Sequence, residues 1–94
     1  MAAQFDYVIV GAGTAGCVLA NRLTACGKYT VCLLEAGPPD WNPMIHIPAG
    51  FMKTIANPSV NWLYQSEPCP GTNGRTIPMP RGKVLGGSSS INGL

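Results

Sequence analysis

Three glycines in G-x-G-x-x-G spacing, Gly11, Gly13 and Gly16, and an acid nineteen residues beyond them, Glu35, are the residues near the start of this chain whose spacing suits chemistry. That chemistry is ligand holding, not bond breaking. Gly11 makes a tight turn out of a strand, Gly13 removes the side chain that would keep the backbone from a pyrophosphate, and Gly16 lets a helix pack closely on that strand. The helix then offers free N–H groups and about half a positive charge to the phosphates. Glu35 is placed to reach the ribose hydroxyls of an adenosine. Its charge would repel a 2′-phosphate, which argues against NADP. The unit does not separate NAD from FAD, since both carry ADP.

A second cluster lies at residues 81–94, RGKVLGGSSSINGL. Gly82, Gly86 and Gly87 permit close backbone approach, and Ser88, Ser89 and Ser90 are residue types that cap helix N-termini. The pattern predicts a loop entering a helix whose N-terminus again faces an anion. Two helix N-termini converging on one pyrophosphate suit FAD better than NAD.

The positioning elements follow from residue patterning. Tyr7–Val10 is a short apolar, β-branched run, predicted to be a parallel strand buried on both faces. Ala15, Val18, Leu19, Leu23 and Cys26 recur at helical intervals, with Gly27 as the stop. YTVCLLEAG is a second strand ending at Glu35. The predicted fold class is α/β: a Rossmann-like FAD/NAD(P)-binding βαβ unit over 5–35, an inserted loop and hairpin region over 36–80, and a second motif over 81–94. Together they form an incomplete part of a larger doubly wound domain.

Composition agrees with incompleteness. The 94 residues are 46% hydrophobic and only 11% charged, with mean hydropathy +0.16, where a free-standing domain carries about 25% charged residues. This predicts a piece of something larger, with apolar faces meant for absent partners. Net charge is +2 and scattered, with no basic stripe for nucleic acid. Cys17, Cys26, Cys32 and Cys69 fit no zinc or redox spacing and are expected to be small buried hydrophobes. The start of the chain has no secretory leader and no run long enough for a membrane span, which predicts a cytoplasmic setting, compatible with peripheral membrane association. No metal site is expected.

The proline-rich middle, residues 36–60, breaks a simple βαβ continuation. Pro48 is placed to open a short helix through Ala56. His46, the only histidine, sits between two isoleucines and reads as structural. NWLYQSE (61–67) has the look of an edge strand, with a hairpin around Thr72–Gly74. Trp62 and Tyr64 share a face and read as packing residues.

The run from Gly82 to Asn92, Gly-Lys-Val-Leu-Gly-Gly-Ser-Ser-Ser-Ile-Asn, resembles position by position the first signature of the glucose–methanol–choline (GMC) family of FAD-dependent oxidoreductases. DYVIVGAGTAGCVLANRL and LLEAGP resemble the family's amino terminus, and NWLYQSEP…GRTIPMPRGKVLGGSSSING resembles its choline-dehydrogenase-like branch. The resemblance implies an amino-terminal fragment, because family members run to several hundred residues. It implies that Gly11, Gly13, Thr14, Ala15 and Gly16 bind pyrophosphate and that Glu35 and Ala36 lie at the ribose. Arg81, Gly82, Val84, Gly86, Gly87, Ser88, Asn92 and Gly93 would line the rest, with Asn92 nearest the flavin ring. Some relatives attach FAD through a histidine immediately before this asparagine. Ile91 stands there, so the implied FAD is noncovalent. The implied chemistry is oxidation of a small alcohol to a carbonyl, with hydride passing to the flavin. The family's catalytic histidine lies near the carboxyl terminus and has no counterpart here. The substrate domain is absent, and the fragment alone is expected to be inactive. A noncatalytic truncated nucleotide-binding module is the alternative reading, and an NAD-dependent dehydrogenase a third.

Overall fold

The β-branched run Tyr7–Val10 forms strand β1, and Val31–Leu34 forms β2 beside it, parallel, with Tyr7 opposite Val31 and Val10 opposite Leu34. These elements are seen in a computed structural model that describes residues 3–93. Met1, Ala2 and Leu94 of the expected 1–94 span lie outside the described residues. Helix α1, Thr14–Thr24, connects the two strands, which completes the βαβ unit read from the sequence.

The two strands are clamped at their starting ends. Asp6 Oδ2 accepts from the Thr30 amide at 2.8 Å and from the Thr30 hydroxyl at 3.3 Å, while the Asp6 amide donates to Thr30 Oγ1 at 3.1 Å. Tyr7 and Tyr29 meet edge to face just inside the clamp, 5.5 Å apart. The clamp is solvent-exposed, so its net worth is modest. Asp6→Ala is expected to lower stability by about 1 kcal/mol, read as a shift in denaturant midpoint, with faster amide exchange at Tyr7 and Thr30.

Helix α1 ends two residues before the expected Cys26. The Thr24 hydroxyl donates back to the carbonyls of Ala20 and Asn21 at 2.7 and 3.3 Å, and Gly27 turns left-handed (φ +73°) with its amide on Thr24 O. Such back-bonding competes with helix continuation.

Residues beyond Glu35 form short pieces. One-turn 3₁₀ segments at Pro43–Ile45 and Pro48–Gly50 lead into helix α2, Phe51–Thr54, which is shorter than the expected run to Ala56. Tyr64–Gln65 (β3) pairs antiparallel with Pro78–Met79 (β4). Their connection carries Asn73 and Gly74 in left-handed conformations, as an N-G turn demands. His46 is tied to Asp40, its Nε2 lying 2.7 Å from the Asp40 carbonyl and 3.3 Å from its carboxylate.

The packed core lies away from the sheet. Val60, Val84 and Ile91 are buried together, with Ile45 against them. This cluster joins the middle of the chain to its last motif. By contrast Val8 is 59% exposed and Val10 84%, so β1 is not buried on both faces as expected. Two strands and one helix supply too little surface to cover a parallel sheet. The radius of gyration, 16.5 Å, exceeds the roughly 12 Å of a compact chain of this length.

The cysteines also depart from expectation. Cys17, Cys26 and Cys69 are exposed and Cys32 is half-buried. The Thr72 hydroxyl beside Cys69 Sγ holds that thiol below its ordinary range. Among the described residues no helix is long and apolar enough to cross a membrane.

Candidate functional site

The turn between β1 and α1 is built as the glycine spacing requires. Gly11 leaves the strand with φ +99°, and its amide stays on the sheet through Leu34 O at 2.7 Å. A Cβ at Gly16 would sit 1.9 Å from Gly11 O and 3.3 Å from the Ile9 side chain, so only glycine lets α1 lie this close to β1. A Cβ at Gly13 would meet nothing within 4 Å. The space beside Gly13 is open to a ligand.

Helix α1 presents its N-terminus unadorned. Gly13 occupies the N-cap without a side-chain bond, and no acid stands in the first turn. The first amides of a helix have no partner within it, so an anion placed there meets donors and the positive end of the dipole.

The second glycine cluster returns to this turn. Gly86 donates its amide to Ala12 O at 2.7 Å. A Cβ on Gly87 would fall 2.7 Å from Gly13 Cα, so the two loops touch backbone to backbone. Thr14 Oγ1 and Ser89 Oγ lie 2.6 Å apart across the junction. Chain positions 75 residues apart in sequence are thus brought into one wall.

The serines do not act as helix caps, contrary to the sequence reading. Gly87–Ser90 is a single 3₁₀ turn with Gly86 at its N-cap and no side-chain cap bond. Each hydroxyl instead staples the loop: Ser88 Oγ accepts from the Gly82 amide at 3.0 Å, Ser90 Oγ donates to Leu85 O at 3.2 Å, and Ser89 pairs with Thr14. Among the described residues no α-helix begins here.

Glu35 is the acid of the site, and both its oxygens are engaged. Oε1 accepts from the Ala12 amide and Oε2 from the Gly37 amide, each at 2.9 Å. The carboxylate therefore ties the end of β2 to the glycine turn. Gly37 in turn lies against the last motif, since a Cβ there would fall 1.8 Å from Lys83 O.

These elements enclose a cleft of about 940 Å³, within the range of small-molecule and cofactor sites. Of the residues expected to bind, Gly11, Gly13, Thr14, Ala15, Gly16, Glu35, Ala36, Arg81, Gly82, Gly87 and Ser88 line it. Four do not. Val84 is fully buried in the core, Gly86 serves the junction with Ala12, and Gly93 lies against the Phe51 ring. Asn92 is exposed outside the lining. The sequence reading missed Ser89 and Trp62, which do line the cleft. Ser89 sits in the middle of the serine run, and its contact with Thr14 has no local signature. Trp62 is stacked on Tyr64 (5.9 Å, 2° between planes), with Lys83 Nζ 4.5 Å from its ring, so it packs as expected and also faces the cleft.

Glu35 and Arg81 are the only ionisable side chains among the lining residues. Among the described residues that line the cleft there is no histidine.

Comparison with known proteins gives this geometry a context. A family model described as GMC oxidoreductase matches residues 5–94. The chain is 56% identical over 91 residues to an alcohol dehydrogenase (acceptor) of Pseudomonas putida, covering 97% of this chain and 16% of that protein. It is 50% identical over 91 residues to an oxygen-dependent choline dehydrogenase of Rhizobium etli, covering 97% and 17%. The crystal structure of pyridoxine 4-oxidase from Mesorbium loti matches with a TM-score of 0.90 at 39% identity, over 96% of this chain and 18% of that one. The chain therefore spans 16–18% of the length of these relatives.

Proposed function

Because the chain belongs to the GMC oxidoreductase family, we propose that it is the FAD-binding portion of an oxidoreductase that oxidises the CH–OH group of a small alcohol to a carbonyl, FAD accepting the hydride. The observation that carries this reading is the contact of Gly87 with Gly13. It makes one cleft from the two glycine motifs, whereas a plain NAD site needs only the first.

The residues present fit such a cofactor. Gly13 leaves open space where the backbone must approach a pyrophosphate, and the uncapped N-terminus of α1 offers it donors. Thr14 and Ser89 add hydroxyls, and Arg81 adds a cation at the cleft. Glu35 is held by two backbone amides at the end of β2, where its remaining lone pairs can accept from ribose hydroxyls. These residues bind and orient. Removal of the alcohol proton falls to residues outside this chain, so the chain by itself turns over no alcohol.

The cofactor is held without a covalent bond. Ile91 stands where some relatives carry a flavin-linking histidine; it is a hydrocarbon, 3% exposed, packed on Val60 and Val84. It offers no nucleophile to the cofactor. Two measurements test the reading together. Purified chain reconstituted with FAD is expected to retain it through gel filtration, and acid precipitation is expected to release all the yellow colour to the supernatant. Failure to retain flavin by chain that circular dichroism shows to be folded refutes the FAD reading. Colour left on the polypeptide refutes noncovalent attachment alone.

A further inference from the structure

Asparagine followed by glycine occurs twice in this chain, at Asn73–Gly74 and at Asn92–Gly93. The pair has a chemistry of its own. The glycine amide nitrogen can attack the side-chain carbonyl of the asparagine, because glycine has no Cβ to obstruct the approach and its backbone turns readily. A new C–N bond closes a succinimide ring, the bond from Cγ to the side-chain nitrogen breaks, and ammonia leaves. Water then opens the ring at either carbonyl and leaves aspartate or isoaspartate. No oxidant or reductant takes part.

Both asparagines are exposed, so access of water does not tell them apart. Backbone geometry and hydrogen bonding do. Asn73 is left-handed, with φ 55° and ψ 37°. That ψ turns the Gly74 nitrogen nearly opposite to the Asn73 Cβ, so the attacking atom points away from its target. The Gly74 amide is moreover bonded to Cys69 O at 3.0 Å, and the same carbonyl accepts from the Thr72 amide at 3.1 Å. The Asn73 amide donates to Pro70 O at 3.2 Å and the Arg75 amide to Thr72 O at 3.1 Å. The whole tip must open before the Gly74 nitrogen can swing round.

Asn92–Gly93 has no such brace. The Ile91 amide still donates to Ser88 O at 3.1 Å. Beyond it, among the described residues, neither the Asn92 side chain nor the Gly93 amide makes a hydrogen bond. Gly93 lies beside the Phe51 ring, an apolar neighbour.

We propose that Asn92 is a modification site of this chain, converting spontaneously to isoaspartate or aspartate, and that the hairpin tip protects Asn73 from the same reaction. The product carries a negative charge next to Ile91, a buried member of the core, and isoaspartate lengthens the backbone there. An aged chain is therefore expected to melt at a lower temperature than a fresh one. The proposal stands apart from the FAD reading, since no step in it involves a cofactor.

The test uses the full chain, incubated in mildly alkaline buffer, sampled over time, digested in acid and mapped by peptide mass. The peptide holding Asn92 is expected to deamidate at least about tenfold faster than the one holding Asn73, a ratio set by the cost of opening the tip locally. In denaturing urea the two rates are expected to converge, because each pair is then governed by its sequence alone. Asn92→Gln is expected to remove the fast phase and the fall in melting temperature, since glutamine must close a larger ring. Equal rates for the two asparagines in buffer, or a faster Asn73, overturn the proposal. A difference that persists unchanged in urea refutes protection by the hairpin tip. An Asn92 that deamidates in urea and stays intact in buffer refutes the site.

Discussion

Gly87→Ala is expected to abolish FAD retention, weakening binding by at least about a hundredfold, and to destabilise the chain. The added methyl would lie 2.7 Å from Gly13 Cα, closer than any real contact, and its neighbour is backbone that no side-chain rotation can move aside. Gly87 is buried with φ +70°, a conformation that costs a non-glycine residue about 1–2 kcal/mol before any clash. The two glycine motifs must separate, and the cleft between them opens. Gly74→Ala is the control. It has φ +73° with nothing within 4 Å of its Cβ, so it carries the backbone cost alone and should leave flavin binding unchanged. Gel filtration with absorbance at the flavin band, beside a thermal melt of each variant, separates the two effects. Normal FAD retention by Gly87→Ala would show that the contact between the motifs does not make the site.

Glu35→Gln is the second large effect. The carboxylate receives one amide on each oxygen, from Ala12 and Gly37, both at 2.9 Å. A glutamine has one oxygen, so its NH₂ group must face one of those N–H donors. A hydrogen bond to a charged acceptor is worth about 1.5–3 kcal/mol, and one is lost outright. We expect stability to fall by about that amount. FAD affinity should drop tenfold or more, because the acid braces the glycine turn and, in the function proposed above, accepts from the ribose. Calorimetric titration with ADP and with FMN localises the defect. ADP binding should suffer as FAD does, and FMN binding should change little. Equal losses for both would mean that Glu35 supports the fold generally and recognises no ribose.

The relation of sequence to structure differs from one region to the next. The βαβ unit was legible because its determinants are local: a β-branched tetrad, glycines at fixed offsets, and helical recurrence of apolar residues. The strands fell at Tyr7–Val10 and Val31–Leu34, and the helix missed its expected end by two residues because a threonine hydroxyl turned back on its own carbonyls. The serine run was read correctly as a loop and wrongly as caps. Capping depends on where the chain turns, and Gly86 took that position. Trp62 was read as packing, since nothing nearby in sequence shows that Arg81 pairs with it. Burial was the weakest inference. Apolar patterning tells which face of an element needs cover, and Val8 and Val10 remain exposed because two strands and one helix cannot provide it.

By itself, then, the sequence determined the local chemistry of this protein: a glycine turn fit for a pyrophosphate, an acid at the end of the second strand, and a second glycine–serine motif. Only the tertiary structure decided that these meet. The Gly13–Gly87 contact, the Thr14–Ser89 hydroxyl pair and the bond from the Arg81 amide to Asn61 Oδ1 join positions 20 to 75 residues apart. Their closeness depends on how the buried Val60, Val84 and Ile91 draw the middle of the chain and its last motif together. Hydrophobic burial has no direction of its own; steric fit at glycine and satisfied hydrogen bonds select the one arrangement that leaves a cleft.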